Sequence, residues 1–459
     1  MWTILLLTTM LVGIVAGGSS TAANFLFFVF RMLSVALLAL ALIRLYHTRL
    51  RLMETVSLAL ICATLGLIVL QLVPLPYQVY KALPGREFAV SGFAAAGVGP
   101  GWQPLSLDPA ATTSYLVALM PPIAMFLATL LSGLRDRLWT AGVILAATLA
   151  SIFLGLLQRL QGTESPLYIY EITNRGSATG FFSNSNNFAM LACVAIPLIW
   201  FMCLHYLRDR RANKAFVLSA AMAMLTAVIV GLAVSGSRSG LLLGMTALLL
   251  SAFMSRKAFF KPSRSLRLRF PAWFLFAAIL LIGQFGMVGL LRIAQTDPVG
   301  EYRSTIAATT ILAGTRYFPV GSGFGTFQDI YAMHEQPFNI SVGEYVNHAH
   351  NDWLEIWLEG GLPAALLLAI FVALFIFQTI RVWLVNGIYA TELFPKAASI
   401  GVLVLLGHSF AEYPLRMPAL AIIFAMLMAI LISPRPERRP REQASEHIPL
   451  ASHSLRVEQ

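Results

Sequence analysis

The chain has 459 residues, of which 58% are hydrophobic and only 12% charged, about half the charge of an ordinary soluble domain. Apolar runs close to 20 residues long recur along most of its length, which excludes a soluble globular protein and marks a polytopic membrane protein. The net charge of +11 invites a nucleic-acid partner, but its distribution argues for topology instead.

In chain order, apolar spans are predicted near 2–16, 24–43, 55–73, 112–132, 138–158 and 185–205. Six more are predicted near 216–234, 240–254, 271–291, 360–380, 397–410 and 418–433. The first is short enough for a signal-peptide core. It lacks a basic leader, however, and Gly17–Ser20 is followed at once by another apolar run, so it is kept as a span. The expected fold is all-α, with about twelve transmembrane helices in a single domain over 1–433. A large loop, about 292–352, is expected between helices nine and ten. Residues 434–459, rich in Pro, Arg, Glu and Ser, are expected to form a disordered cytoplasmic tail.

With the N-terminus inside, 22 Lys and Arg fall on the cytoplasmic side and 9 on the other, Arg31 alone lying mid-span. That asymmetry obeys the positive-inside rule with both termini in the cytoplasm, and no nucleic-acid partner is expected. The outward side carries 13 of the 21 acids. Cys62, Cys193 and Cys203 all lie in apolar spans and read as small core residues, not as a disulfide or a metal-binding pair.

Four outward segments depart from plain hydrophobicity. Leu75–Ala111, containing most of WQPLSLDPAAT, reads as a structural loop. Asn174–Asn187, NRGSATGFFSNSNN, combines Arg175 with a crowd of small polar side chains. Such density suits a hydroxyl-rich or phosphorylated ligand, and part of it is helix capping. Ser235–Gly240, SGSRSG, leaves almost no loop between two spans, so Arg238 lies at the membrane boundary. A guanidinium there is either functional or snorkelling from a span end, and the sequence leaves both open. The fourth segment, Arg292–Asn351, holds Arg303, Arg316 and the glycine-rich FPVGSGFGTF (Phe318–Phe327). Its GSGFG lacks GxGxxG spacing and follows no strand, so a dinucleotide loop is rejected. A tightly turned or mobile loop approaching a ligand fits better. Outward cations are almost all arginine, whose fork matches phosphate oxygens.

The segment most dense in chemistry is Val346–Leu362, VNHAHNDWLEIWLEGGL. Asn351 and Asp352 suit a helix start. Asp352, Glu355 and Glu359 then fall at i, i+3 and i+7, on one face. His348, His350 and Asp352 are all possible metal ligands, yet their i, i+2, i+4 spacing converges only in a strand and no HExxH pattern is present. No metal or cofactor is expected. Histidine titrates nearest neutrality of all side chains, and His350 reads best as a general base at the junction of loop and helix.

At these residues the chain resembles the O-antigen ligase and O-antigen polymerase superfamily of bacterial envelope glycosyltransferases. The resemblance rests on AHNDWLEIWLEGGLPAALL, SGSRSG, FFSNSNNFA, FPVGSGFGTF and EYPLRMPAL and covers most of 105–432. It implies a metal-independent transferase of the bacterial inner membrane, with its site facing the periplasm. The donor would be a polyprenyl-diphosphate-linked glycan, and the acceptor a sugar hydroxyl on lipid A core or on a growing polysaccharide. By position in the motifs, His350 matches the essential histidine. Arg238 and Arg316 match diphosphate-binding arginines, with Arg175 a looser match. His348, Asn351, Asp352, Glu355 and Glu359 are expected to support the imidazole or meet the acceptor, and inversion at the anomeric carbon is expected. Ligase and polymerase are not separated. The alternative from another class is a transporter or flippase of lipid-linked sugars. It would need no histidine at the outer edge, and the paired broken helices of such proteins are not found in the sequence.

Overall fold

A computed structural model of the protein describes residues 1–20, 24–97, 101–259, 283, 298–336, 345–385 and 389–434. Apart from residue 283, the expected ninth span near 271–291 lies outside the described residues. So do Arg292, parts of the expected large loop and the tail beyond 434.

Among the described residues, eight helices are long and apolar enough to cross a membrane. They are Phe25–Tyr46, Leu52–Leu72, Pro109–Leu130, Leu134–Gln161, Ser185–Leu207, Lys214–Ser235, Asp352–Leu384 and Ala390–His408. Trp2–Ala16, Arg238–Met254 and Pro418–Ile432 are shorter apolar helices. Each lies on an apolar run read from the sequence, and the chain is an all-α polytopic membrane protein. One short antiparallel pair, Pro74–Leu75 with Gln103–Pro104, closes the loop after the Leu52–Leu72 helix.

Local sequence sets where these helices begin. Asn24, Asp108, Asn184, Asn213 and Asn351 each accept hydrogen bonds from first-turn N–H groups, a contribution of about 1 kcal/mol apiece. Packing then sorts them by depth. Every residue from Asn187 to Phe201 is buried, as a helix apolar on all sides should be. Against this central helix lie Lys214–Ser235, Ala390–His408 and Arg238–Phe259, and Phe201 stacks on Phe394 with centroids 4.2 Å apart.

The 33-residue helix Asp352–Leu384 is bent at Gly361, where φ is 58°. The glycine-rich loop lies in that notch. A Cβ on Gly361 would collide with the Pro319 carbonyl, and one on Gly321 with the Glu359 carbonyl, so both positions need glycine. The loop is also gripped from behind. Arg86, fully buried, donates to the carbonyls of Pro84, Leu105 and Gly321 and lies between the rings of Tyr80 and Tyr317. The segment around WQPLSLDPAAT is thus a brace for the glycine-rich loop.

Candidate active site

The helix at Asp352 starts where Asn351 caps it, accepting from Trp353 N and Leu354 N. The residue just before the cap, His350, has φ of 50°, a left-handed conformation uncommon outside glycine. This turn directs the imidazole at a carboxylate far along the chain. His350 Nδ1 lies 3.0 Å from Glu412 Oε2, and the Glu412 side chain is fully buried. The same carboxylate accepts from Asn186 Nδ2 at 2.7 Å and pairs with the Arg303 guanidinium. Burial alone would raise the Glu412 carboxyl. The hydrogen bond from His350 and the cationic surroundings, Arg303 among them, outweigh it and hold the group below the usual carboxylate range. An ionised Glu412 only accepts, so Nδ1 of His350 carries the proton. Its Nε2 is left as the available acceptor.

A second array stands beside the first. His348 Nδ1 is 2.9 Å from Glu355 Oε1, and Ala349 N donates to Glu355 Oε2 at 2.8 Å. Arg416 Nη1 lies 3.0 Å from Glu355 Oε1 and Nη2 lies 2.9 Å from Glu359 Oε2. Its Nε is 3.7 Å from Asp352 Oδ1, and Ser409 Oγ donates to Asp352 Oδ2 at 2.7 Å. Burial works to lower the Arg416 guanidinium, but the surrounding carboxylates raise it well above its ordinary value. Both imidazoles rest on Tyr413, with ring centroids 4.4 Å from His348 and 5.1 Å from His350. Glu359 has a further duty, accepting from Gly325 N at 2.9 Å and Phe327 N at 3.3 Å. The amides of Gly325 and Phe327 are therefore spent on the chain's own carboxylate, and those of Gly321, Ser322, Gly323, Phe324 and Thr326 on other groups of the chain.

The residues singled out in the sequence are distributed unevenly. Asp352, Glu355 and Glu359 share one face around Arg416, and His348 joins them through Glu355. His350 turns to Glu412 instead. Arg238 begins its helix beside the start of Ser185–Leu207, where a Cβ on Gly240 would stand 2.6 Å from the Ala189 side chain. It thus lies at the same end of the bundle as Asn186. Arg175 folds back onto the Thr163 carbonyl at 3.2 Å and the Tyr168 ring. The polar segment around it closes on itself, with Thr173 donating to Ser183 O and Ser185 N to Asn174. Arg316 is half exposed, 3.7 Å from Glu87.

Arg303 and Arg316 belong to one helix, Pro298–Tyr317. Thirteen residues apart, they are separated by about 20 Å along it and about 220° around it. Arg303 shares Glu412 with His350, whereas Arg316 faces Glu87. The structure thus adds Arg303, Glu412 and Arg416 to the residues picked from sequence. Glu412 and Arg416 sit in EYPLRMPAL, one of the segments carrying the resemblance, which is the one local signal pointing to them. Among the described residues, no group of three or more His, Cys, Asp or Glu is arranged to hold a metal ion.

A bundle of membrane-scale helices with a buried histidine–carboxylate–arginine array at one end defines the class: an integral membrane protein with a polar site at the edge of its spans. Comparison finds a family match for part of the chain. Residues 222–369 match the family model described as O-antigen ligase, a stretch that includes Arg238, Arg303, the glycine-rich loop and His350. This match over part of the chain supports the resemblance to the O-antigen ligase and polymerase superfamily carried by the motifs. No curated protein matches the chain.

Proposed function

We propose that this protein is a glycosyltransferase of the bacterial inner membrane. It would transfer a glycan from a polyprenyl-diphosphate donor to a sugar hydroxyl, on lipid A core or on a growing polysaccharide, at the periplasmic face. The observation that carries the reading is His350. A strained backbone, a buried ionised carboxylate and a part-exposed ring together give an imidazole with one fixed tautomer and one open nitrogen. That is the equipment of a general base.

In the proposed reaction, His350 Nε2 takes the proton of the acceptor hydroxyl as its oxygen bonds to the anomeric carbon. The bond from that carbon to the diphosphate oxygen breaks, its electron pair leaving with the diphosphate, and the configuration inverts. Glu412 stabilises the imidazolium that forms. Arg303, 31% exposed, and Arg238 meet the charge developing on the diphosphate, where fixed cations are most effective. Arg303 takes the part that sequence position alone gave to Arg316.

An apolar groove of about 370 Å³ runs between the helices, lined by Leu60, Thr64, Ile123, Leu367, Phe371 and Phe424 among others. Its wall includes Ile356 and Leu415, neighbours in sequence of Glu355 and Arg416, and it suits part of the isoprenoid chain. The excess of 22 basic residues on one side over 9 on the other supports a periplasmic site.

The test is transfer by the purified protein from a polyprenyl-diphosphate glycan to membrane-extracted acceptor, with released polyprenyl diphosphate measured in parallel. Translocation of the donor without transfer would favour the flippase alternative and sink this reading. Reporter fusions after Arg211 should report cytoplasm and fusions near Asp329 periplasm. The opposite pattern would remove the site from the proposed compartment.

A further inference from the structure

The site contains two imidazoles, and the proposed reaction uses one. His348 is built like His350. Its Nδ1 is committed to a buried carboxylate that an arginine also holds, and its ring lies on the same Tyr413 side chain. The rings are part-exposed, the side chains of His348 and His350 showing 16% and 22% of their surface. Among the described residues neither Nε2 has a hydrogen-bond partner, and neither is among the buried polar atoms without a partner. Each dyad therefore presents one nitrogen lone pair outward. A lone pair accepts from a hydroxyl and gains nothing from an anionic diphosphate, so two of them on rings that share Tyr413 suit a face bearing two hydroxyl groups.

Resting on the glycosyltransferase reading above, we infer that the His348–Glu355 dyad is an acceptor-binding element. Its Nε2 accepts a hydrogen bond from a second hydroxyl of the acceptor sugar, while His350 takes the proton of the attacking one. The acceptor class is a sugar with a free hydroxyl neighbouring the one that attacks. His348 moves no proton in the reaction, and Arg416 acts only by fixing Glu355.

Two variants separate contact from scaffolding. In His348→Asn the amide replaces Nδ1 and keeps the bond to Glu355, but nothing occupies the place of Nε2. His348→Ala removes both. The full-length protein in detergent or nanodiscs would be assayed with the polyprenyl-diphosphate glycan and membrane-extracted acceptor. Both variants should raise the KM for acceptor roughly 3- to 10-fold, the loss of one hydrogen bond. The KM for donor should stay within about 2-fold, and the slow hydrolysis of donor, where water is the acceptor, should be unchanged. His350→Ala, run alongside, should lose transfer and hydrolysis together. An unchanged acceptor KM in His348→Asn would make the dyad a scaffold and overturn the inference, as would an equal loss of hydrolysis. A wild-type protein that transfers no glycan would instead overturn the glycosyltransferase reading beneath it.

Discussion

Two His–Glu–Arg arrays share Tyr413, and their difference lies in the arginine. Arg416 is 9% exposed and meets three carboxylates, Asp352, Glu355 and Glu359. Among the described residues Arg303, 31% exposed, meets one, Glu412. A guanidinium walled in by acids has no fork left for a ligand. One that shares a single carboxylate at a rim retains donors that can turn outward. The same guanidinium is thus an internal tie in one place and, in the proposed reaction, a ligand-facing group in the other. Burial and the count of acids decide which.

The largest effect that tests this contrast is on the base. His350→Ala should lower the rate of transfer by about 100- to 10,000-fold while leaving donor binding intact. Wild-type transfer by that variant would dissolve the functional array altogether. The two arginines should then fail in different ways. Arg303→Ala should stay folded and inserted but lose transfer by about 100- to 1,000-fold, with Arg303→Lys retaining part because it keeps charge without the fork. Arg416→Ala should cost about 3–5 kcal/mol of stability, because three buried acids lose their cation. It should be seen first as a lower melting temperature and a smaller folded yield. Equal stability losses in the two would erase the distinction.

A finer comparison uses Glu412→Gln, which keeps the shape of the carboxylate but not its charge. Transfer should fall about 10-fold, the imidazolium losing its partner. Because the folded state holds the Glu412 carboxyl low, its contribution is present above the unfolded pKa and is lost as pH falls through the folded one. The melting temperature of the wild type should therefore fall on acidification by more than that of Glu412→Gln. The smallest effect is expected at Arg316. Its pair with Glu87 is exposed at both ends and worth little, so Arg316→Ala should change transfer by less than about 3-fold. A large loss there would return the diphosphate to the glycine-rich loop.

What the sequence made legible was local. The spans follow from apolar runs, the start at Asp352 from Asn351, and the shared face of Asp352, Glu355 and Glu359 from helical spacing. What it concealed was pairing across distance. Glu412 follows His350 by 62 residues, and nothing near either one names the other. Arg316 drew notice because it adjoins the glycine-rich loop, but adjacency in sequence set it at the far end of a helix from Arg303. The loop's glycines signalled close approach correctly. That the approaching group is the chain's own Glu359 required the fold.

The burial of Arg416 also bears on how the protein is made. Arg416 follows Glu359 by 57 residues, so the acids of the Asp352 helix are synthesised well before the cation that neutralises them. Until Arg416 is in place, the three carboxylates at the head of that helix lack the cation that joins them. Such a segment is held back from the hydrocarbon interior. The stretch between Ala390–His408 and Pro418–Ile432, which carries Arg416, is thereby the part of the chain that seats the three acids.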